Sequence, residues 1–301
     1  MAWLEYALAA AVVLSAVHLL EKHVLIDELK DPVFATTVAG FSTFLLLALL
    51  AAFANPFLLP PWIALLAFAA GVAYNLSAIP YFTAEEGEEV SRVTPMLNLQ
   101  AVFIALFAAA FLGESLATSA YVGMFLVVGG AMLITMKHRP ALRLPRPFRR
   151  RVSVHSLATL VLASTLLLAV RNLLLDAATA SSPLFAVLAW VGLGGLSVGA
   201  ILLAFHHPRI RGTNKKGIEH FLAASVLAFL FFLLASRAIA EGPVSLVSAV
   251  LSTSIFFVFL GAVLLSRTHS HIVREELRGS SIAIKLAAML LIFIGLWLVV
   301  R

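Results

Sequence analysis

The sequence predicts an all-α integral membrane protein with ten transmembrane helices in two inverted five-helix repeats. Three observations lead there: a composition no soluble fold accommodates, ten apolar runs of spanning length, and an internal repeat that splits those runs into two odd-numbered halves. Of 301 residues, 62% are hydrophobic and 12% charged, against roughly 25% charged in a soluble domain. Mean hydropathy is +1.04. The net charge of +6 sits in expected loops and reflects placement in a membrane, so a nucleic-acid partner is not expected. With no cysteine in the chain, disulfides, thiolate metal sites and cysteine nucleophiles are ruled out.

A spanning helix needs about 20 mostly apolar residues. Ten segments qualify: 2–20, 33–54, 62–83, 90–112, 117–136, 156–177, 183–205, 218–240, 243–265 and 281–300. The first has the hydropathy of a signal peptide. It lacks a basic n-region and carries Glu5, so it reads as a membrane helix. Asn55-Pro56 and Pro60-Pro61 separate the second and third segments, and Glu85 to Glu89 the third and fourth. Gly113-Glu114-Ser115 parts the fourth from the fifth. In the second half, Ser181-Ser182-Pro183, His206 to Gly217, Glu241-Gly242-Pro243 and Arg267 to Gly279 do the same. The runs are continuously apolar and lack the period-two alternation of barrel strands.

Between the halves lies Lys137 to Arg151, with seven basic residues, three prolines and no acid. Prolines keep it from joining a long helix. Short loops rich in Lys and Arg stay cytoplasmic, so this stretch reads as a topology anchor. The domain reading follows: residues 1–136 form a first repeat, 137–155 a basic linker and 156–301 a second repeat. With ten spans, the loops after odd-numbered helices hold 18 Lys and Arg against 3 on the other face. The count includes Lys22, Arg92 and Lys285. It places those loops in the cytoplasm and both termini outside, in a multi-pass protein of the cell membrane. Trp3, Trp62 and Trp297 fall near the expected outer interface.

Val90 to Phe103 reads VSRVTPMLNLQAVF and Val244 to Phe257 reads VSLVSAVLSTSIFF. At a constant offset of 154, Val90, Ser91, Val93, Leu97 and Phe103 meet identical residues. Thr94 and Asn98 meet Ser248 and Ser252, and just upstream, at an offset of 155, Glu86-Gly87 corresponds to Glu241-Gly242. An offset of half the chain puts five helices in each repeat. Five is odd, so the second copy sits upside down. That is the inverted-repeat plan of secondary transporters, whose substrate sites lie near the bilayer midplane.

Helix 4 carries Pro95 and closes in Leu112-Gly113-Glu114; the glycine-rich fifth helix Tyr121 to Leu133 follows. With ten helices in about 300 residues, these features resemble the drug/metabolite transporter superfamily in its EamA-like branch. The second half departs from the pattern, with Ala249 opposite Pro95 and Ser266-Arg267-Thr268 opposite Leu112-Gly113-Glu114. The resemblance implies alternating access, with helices 3, 4, 8 and 9, and 1 and 6, around the path. It implies a solute range that includes amino acids, nucleotide-bound sugars and organic cations.

Polar side chains within spans are expensive and by default face a cavity or each other. Ser91, Thr94 and Asn98 share one helical face by their i, i+3, i+7 spacing, and Ser245, Ser248 and Ser252 repeat it. Small hydroxyl residues also cement helix packing; Asn98 is bulkier and is read as cavity-lining. Asn75, mid-span in helix 3, is the second pathway residue, and Tyr74, Tyr81 and Trp190 are candidates for an aromatic wall. Toward the outer end gather Glu5, Arg171 with Asn172 and Asp176, and Arg237 with Glu241. They either receive a charged solute or snorkel and pair locally. The ordinary imidazole changes charge near neutral pH, which makes His18, near Glu21 at the inner end of helix 1, a candidate for a proton relay, though too little alone for one. The run Glu85, Glu86, Glu88, Glu89 reads as a solvated loop beside Arg92.

No HExxH, Walker sequence or intramembrane aspartate pair is present, and the loop histidines lack companion carboxylates at metal-ligand spacing. An enzyme is therefore not expected, nor a cofactor or a metal. The reading is a transporter, secondary-active or facilitative, for a small polar or zwitterionic metabolite. A flippase for a lipid-linked head group and a non-transporting membrane subunit or receptor are the alternatives. Expected partners are the small-molecule substrate and membrane lipid, with homodimerisation left open.

Overall fold

The computed structural model describes residues 2–24, 31–87, 90–111, 117–135, 154–206, 215–268 and 279–300. The basic stretch 137–151 and the Leu112-Gly113-Glu114 motif lie outside the described residues. Twelve α-helices make the fold, with no strand among the described residues. In the first half these are α1 (Ala2–Val24), α2 (Pro32–Ala48), α3 (Pro61–Gly87), α4 (Val90–Leu97), α5 (Leu99–Phe111) and α6 (Thr118–Thr135). The second half has α7 (Val154–Thr179), α8 (Leu184–His206), α9 (Lys215–Glu241), α10 (Val244–Leu251), α11 (Ser254–Thr268) and α12 (Gly279–Val300). Local chemistry sets the starts. Asp31 Oδ1 accepts from the Val33 and Phe34 amides at 3.0 and 3.3 Å, and Pro32 follows it at the first helical position.

Among the described residues seven helical stretches are long and apolar enough to cross a membrane, and 92–107, 118–130 and 282–298 are shorter apolar helices. Large apolar side chains cover the outside, with Phe125 79% and Phe205 84% exposed. A surface of that kind suits lipid and not water.

The continuous spans expected at 90–112 and 243–265 are each interrupted. The α4–α5 break falls at Asn98, whose amide bonds the Pro95 carbonyl at 3.2 Å; the Ala101 amide bonds Asn98 in turn at 3.0 Å. Both are three-residue steps, and Pro95 has no amide hydrogen to keep the regular ladder. The α10–α11 break falls at Ser252 and Thr253 without a proline. There Ser252 Oγ donates to the Ser248 carbonyl at 2.8 Å and Thr253 Oγ1 to Val250 at 2.7 Å. Hydroxyls that bond back onto the preceding turn bend helices. Leu97 and Leu251, the last residues before the breaks, stand 154 apart.

α6 packs along α12, α2 along α8, α3 along α7 and α8, and α1 along α9. Small residues allow the closest of these approaches. A Cβ on Gly71 would strike the Val191 carbonyl, and one on Gly194 the Phe68 carbonyl. The α3–α8 seam is therefore held at backbone contact from both sides. Phe44, Leu47, Val187, Leu188 and Phe232, all fully buried, fill the largest apolar cluster beside it.

Two sequence expectations are corrected here. α3 runs through Glu85 to Gly87, so Glu85 is no solvated loop residue; it is fully buried. The helix survives Pro80 and continues because Glu85 finds partners inside the protein, described below. Glu88 and Glu89 lie outside the described residues. Lys22, Arg92 and Lys285, counted as loop cations, are buried residues of α1, α4 and α12. Removing them from the charge count leaves the same face far the richer.

Candidate functional site

A cavity of about 70 Å³ lies among α1, α2, α3, α4, α7 and α9, room for several water molecules. Tyr74, Asn75 and Ser77 of α3 line one side and Thr43 and Phe44 of α2 another. His18 and Glu21 of α1 and Tyr81 of α3 also face it. Since 1.5 Å of rise per residue separates positions on a helix, Tyr74 and Tyr81 mark levels about 10 Å apart. The chemistry differs between those levels.

At the Tyr74 level, Phe44, Tyr74 and Phe232 form an edge-to-face cluster with centroids 4.5 to 5.8 Å apart. The Arg171 guanidinium lies 4.9 Å from the Phe232 centroid and 5.5 Å from that of Tyr74. Aromatic faces are the tolerable surroundings for a desolvated cation. Arg171 is 3% exposed, and one amino group donates to Asn172 Oδ1 at 2.6 Å. Its Nε and second amino nitrogen make no hydrogen bond. Next to Tyr74 on α3, Asn75 Nδ2 donates to the Gly195 carbonyl of α8 at 2.9 Å, and its buried Oδ1 makes no hydrogen bond. Gly40 leaves that amide its space, for a Cβ there would come within 2.7 Å of Nδ2.

At the Tyr81 level the groups form a network. Tyr81 donates to Glu85 Oε1 at 2.6 Å, and its oxygen is 2.6 Å from His18 Nδ1. His18 Nδ1 is 4.0 Å from Glu21 Oε2, and Lys22 Nζ donates to the Glu85 backbone carbonyl. Glu85 Oε2, fully buried, makes no hydrogen bond. Helical spacing builds it: His18 and Lys22, and Tyr81 and Glu85, are i, i+4 pairs on facing sides of α1 and α3.

Of the residues singled out from sequence, Tyr74, Asn75 and Tyr81 line the cavity. Thr94, Asn98, Ser248 and Ser252 do not; all four are buried at or within a turn of the two helix breaks. Thr94 Oγ1, Asn98 Nδ2 and Ser248 Oγ make no hydrogen bond there. Arg171 is buried against the Tyr74 ring, not on the cavity wall. Trp190 faces elsewhere, donating to the Pro56 carbonyl at 3.0 Å. The expected outer cluster divides into separate pairings: Arg171 with Asn172, and half-exposed Arg237 with Glu241 at 2.6 Å. Sequence reasoning missed Glu85 and Lys22. The signal was there in the period: Ala78, Tyr81, Phe82 and Glu85 continue one face of α3, which a loop would not do. No group of three or more His, Asp or Glu among the described residues is placed to hold a metal.

No curated protein matches this chain by sequence. One crystal structure that resembles it gives a TM-score of 0.66 over 98% of each chain at 16% identity, a likeness of fold. Residues 1–136 match the model of the EamA-like transporter family. Apolar helices on a lipid-suited surface and this match agree: the chain is a multi-pass membrane protein whose first half is EamA-like, consistent with the drug/metabolite transporter superfamily.

Proposed function

We propose that the protein is a ten-span transporter of two inverted five-helix repeats, 1–136 and 156–301, joined by a basic linker. It moves a small polar or zwitterionic solute by alternating access. The observation that carries this is the pair of helix breaks 154 residues apart, each with orphaned buried polar atoms. Discontinuous helices in corresponding places of two halves are how transporters expose backbone and side-chain polar groups to a solute. The packing supports the same plan. Counting α4–α5 and α10–α11 as one span each, the third span packs on the sixth and the first on the eighth. Exchanging the halves turns one pair into the other. The second–seventh and fifth–tenth pairs map onto themselves.

In this reading Tyr74, Asn75 and Arg171 form the binding region. Thr94, Asn98, Ser248 and Ser252 extend the path at the breaks, and Arg237, tied to Glu241, stands at its rim. Unpaired guanidinium nitrogens suit a carboxylate or another anion. The cationic linker faces the cytoplasm and both termini face outward. Uptake of a radiolabelled metabolite panel by proteoliposomes tests the proposal. Saturable uptake of an anionic or zwitterionic solute is the expected result; a protein that moves nothing in the panel would be a subunit or receptor, and movement of labelled lipid alone would make it a flippase.

A further inference from the structure

The Tyr81 level of the cavity holds a chain of titratable groups that solute binding at Tyr74 and Asn75 does not use. Its hydrogen bonds have a determinable direction. A phenol has one proton, and Tyr81 gives it to Glu85 Oε1. The contact between His18 Nδ1 and the Tyr81 oxygen must therefore be made by the imidazole N–H. Every donor points the same way, from the cavity-lining imidazole toward a fully buried carboxyl whose second oxygen has no hydrogen bond. A buried carboxylate with one oxygen left without a hydrogen bond is costly in its charged form, and a proton removes that charge.

We propose that Glu85 is a proton-binding site wired to the cavity through Tyr81 and His18. A proton arriving at His18 Nε2 releases the Nδ1 proton to the Tyr81 oxygen, and the phenol's own proton passes to Glu85 Oε1. The imidazole ends as its other neutral tautomer, the phenol is unchanged, and the carboxylate becomes a carboxylic acid. Both hydrogen bonds then run in the opposite sense, Glu85 donating to Tyr81 and Tyr81 to His18 Nδ1. No heavy atom has to leave its place.

The charged and titratable groups nearest this chain are Glu21 and Lys22 of α1, Tyr74 of α3 and buried Arg92 of the adjoining α4; α7, packed on α3, adds Arg171 and Asp176, and α9, packed on α1, adds Glu219, His220, Arg237 and Glu241. The flanking α2 and the membrane part of α8 carry none. Among them Glu21, 4.0 Å from His18 Nδ1, is the competing proton acceptor. Because the chain bridges α1 and α3, which pack on α9 and on α7 and α8 respectively, its state is felt where the halves meet.

The test is infrared difference spectroscopy of the purified full chain in lipid, comparing acidic and alkaline samples. A buried carboxylic acid gives a carbonyl band that shifts in D₂O. Such a band should appear on acidification, be lost in Glu85→Gln and survive in Glu21→Gln. Tyr81→Phe should shift it, since Oε1 loses the hydroxyl bonded to it; this variant assigns the band even if Glu85→Gln does not fold. Absence of the band in the wild type, its persistence in Glu85→Gln, its loss in Glu21→Gln or an unmoved band in Tyr81→Phe would overturn the proposal. The spectrum needs no solute, so a protein that transports nothing leaves this inference standing, and a transporter with an unchanged Glu85→Gln spectrum leaves the transport reading standing.

Discussion

Behind the cavity wall at the Tyr74 level the Arg171 guanidinium is pressed against aromatic rings, with a single side-chain hydrogen bond to Asn172. Seven residues along the same helix, a carboxyl, a hydroxyl and an imidazole are strung together at 2.6 Å. Both levels put polar groups where water is scarce. The first leaves guanidinium donors and the Asn75 Oδ1 acceptor unmet and so has binding capacity for a solute with both acceptors and donors; the second leaves only a carboxylate oxygen unmet and has room for a proton. A buried group that is only half satisfied asks for a ligand, and which ligand depends on whether the unmet atoms are donors or acceptors.

The largest effect should come from emptying the Tyr74 level. Arg171→Ala should abolish uptake of an anionic or zwitterionic solute and spare a neutral one. Arg171→Lys should not restore it, because a compact ammonium cannot lie across two rings while keeping forked donors. Wild-type uptake by both variants would make Arg171 a packing residue.

Next in size are the amides. Asn75→Ala removes a cavity-lining group and should raise the apparent Kd about tenfold, 1–2 kcal/mol, with the fold intact. Asn98→Ala, at the α4–α5 break, should weaken binding by a similar factor if the broken helices join the path. Kinetics of monodisperse variants decide between them, and an Asn98 effect without an Asn75 effect would move the binding region from the cavity to the breaks. Gly40→Ala should reproduce part of the Asn75 loss, since the new Cβ crowds Nδ2.

Smaller still is Tyr74→Phe, which keeps the ring that Arg171 rests on and should alter affinity less than about threefold. Arg237→Ala should change uptake least, within about twofold, because its partner Glu241 is four residues away on an open helix surface. Equal effects at Arg171 and Arg237 would erase the distinction between a buried binding cation and a surface pair.

Much of the helical pattern was legible because apolar runs and their Pro, Gly and acidic breaks report directly on spanning helices. Asn75 and Arg171 were legible for the same reason: an amide or guanidinium within such a run stands out by its cost. Glu85 was not, because four acids in five residues have the composition of a loop, and the bond to Tyr81 that carries the helix onward is a tertiary fact. The α10–α11 break was hidden too. Its counterpart at Asn98 was not expected either, although Pro95 is a composition signal for it, whereas Ser252 and Thr253 bend the chain with back-bonded hydroxyls that leave none.

Alternating access through the cavity is the central claim, and a chain without cysteine lets one thiol test it. Ser77 lines the cavity and is 3% exposed, and Ser77→Cys changes little in size. Impermeant thiol reagent is applied to proteoliposomes from each face in turn, with and without a transported solute. Modification is expected from both faces, slowed by the solute. Reaction from neither face, or from one face only under every condition, would contradict it.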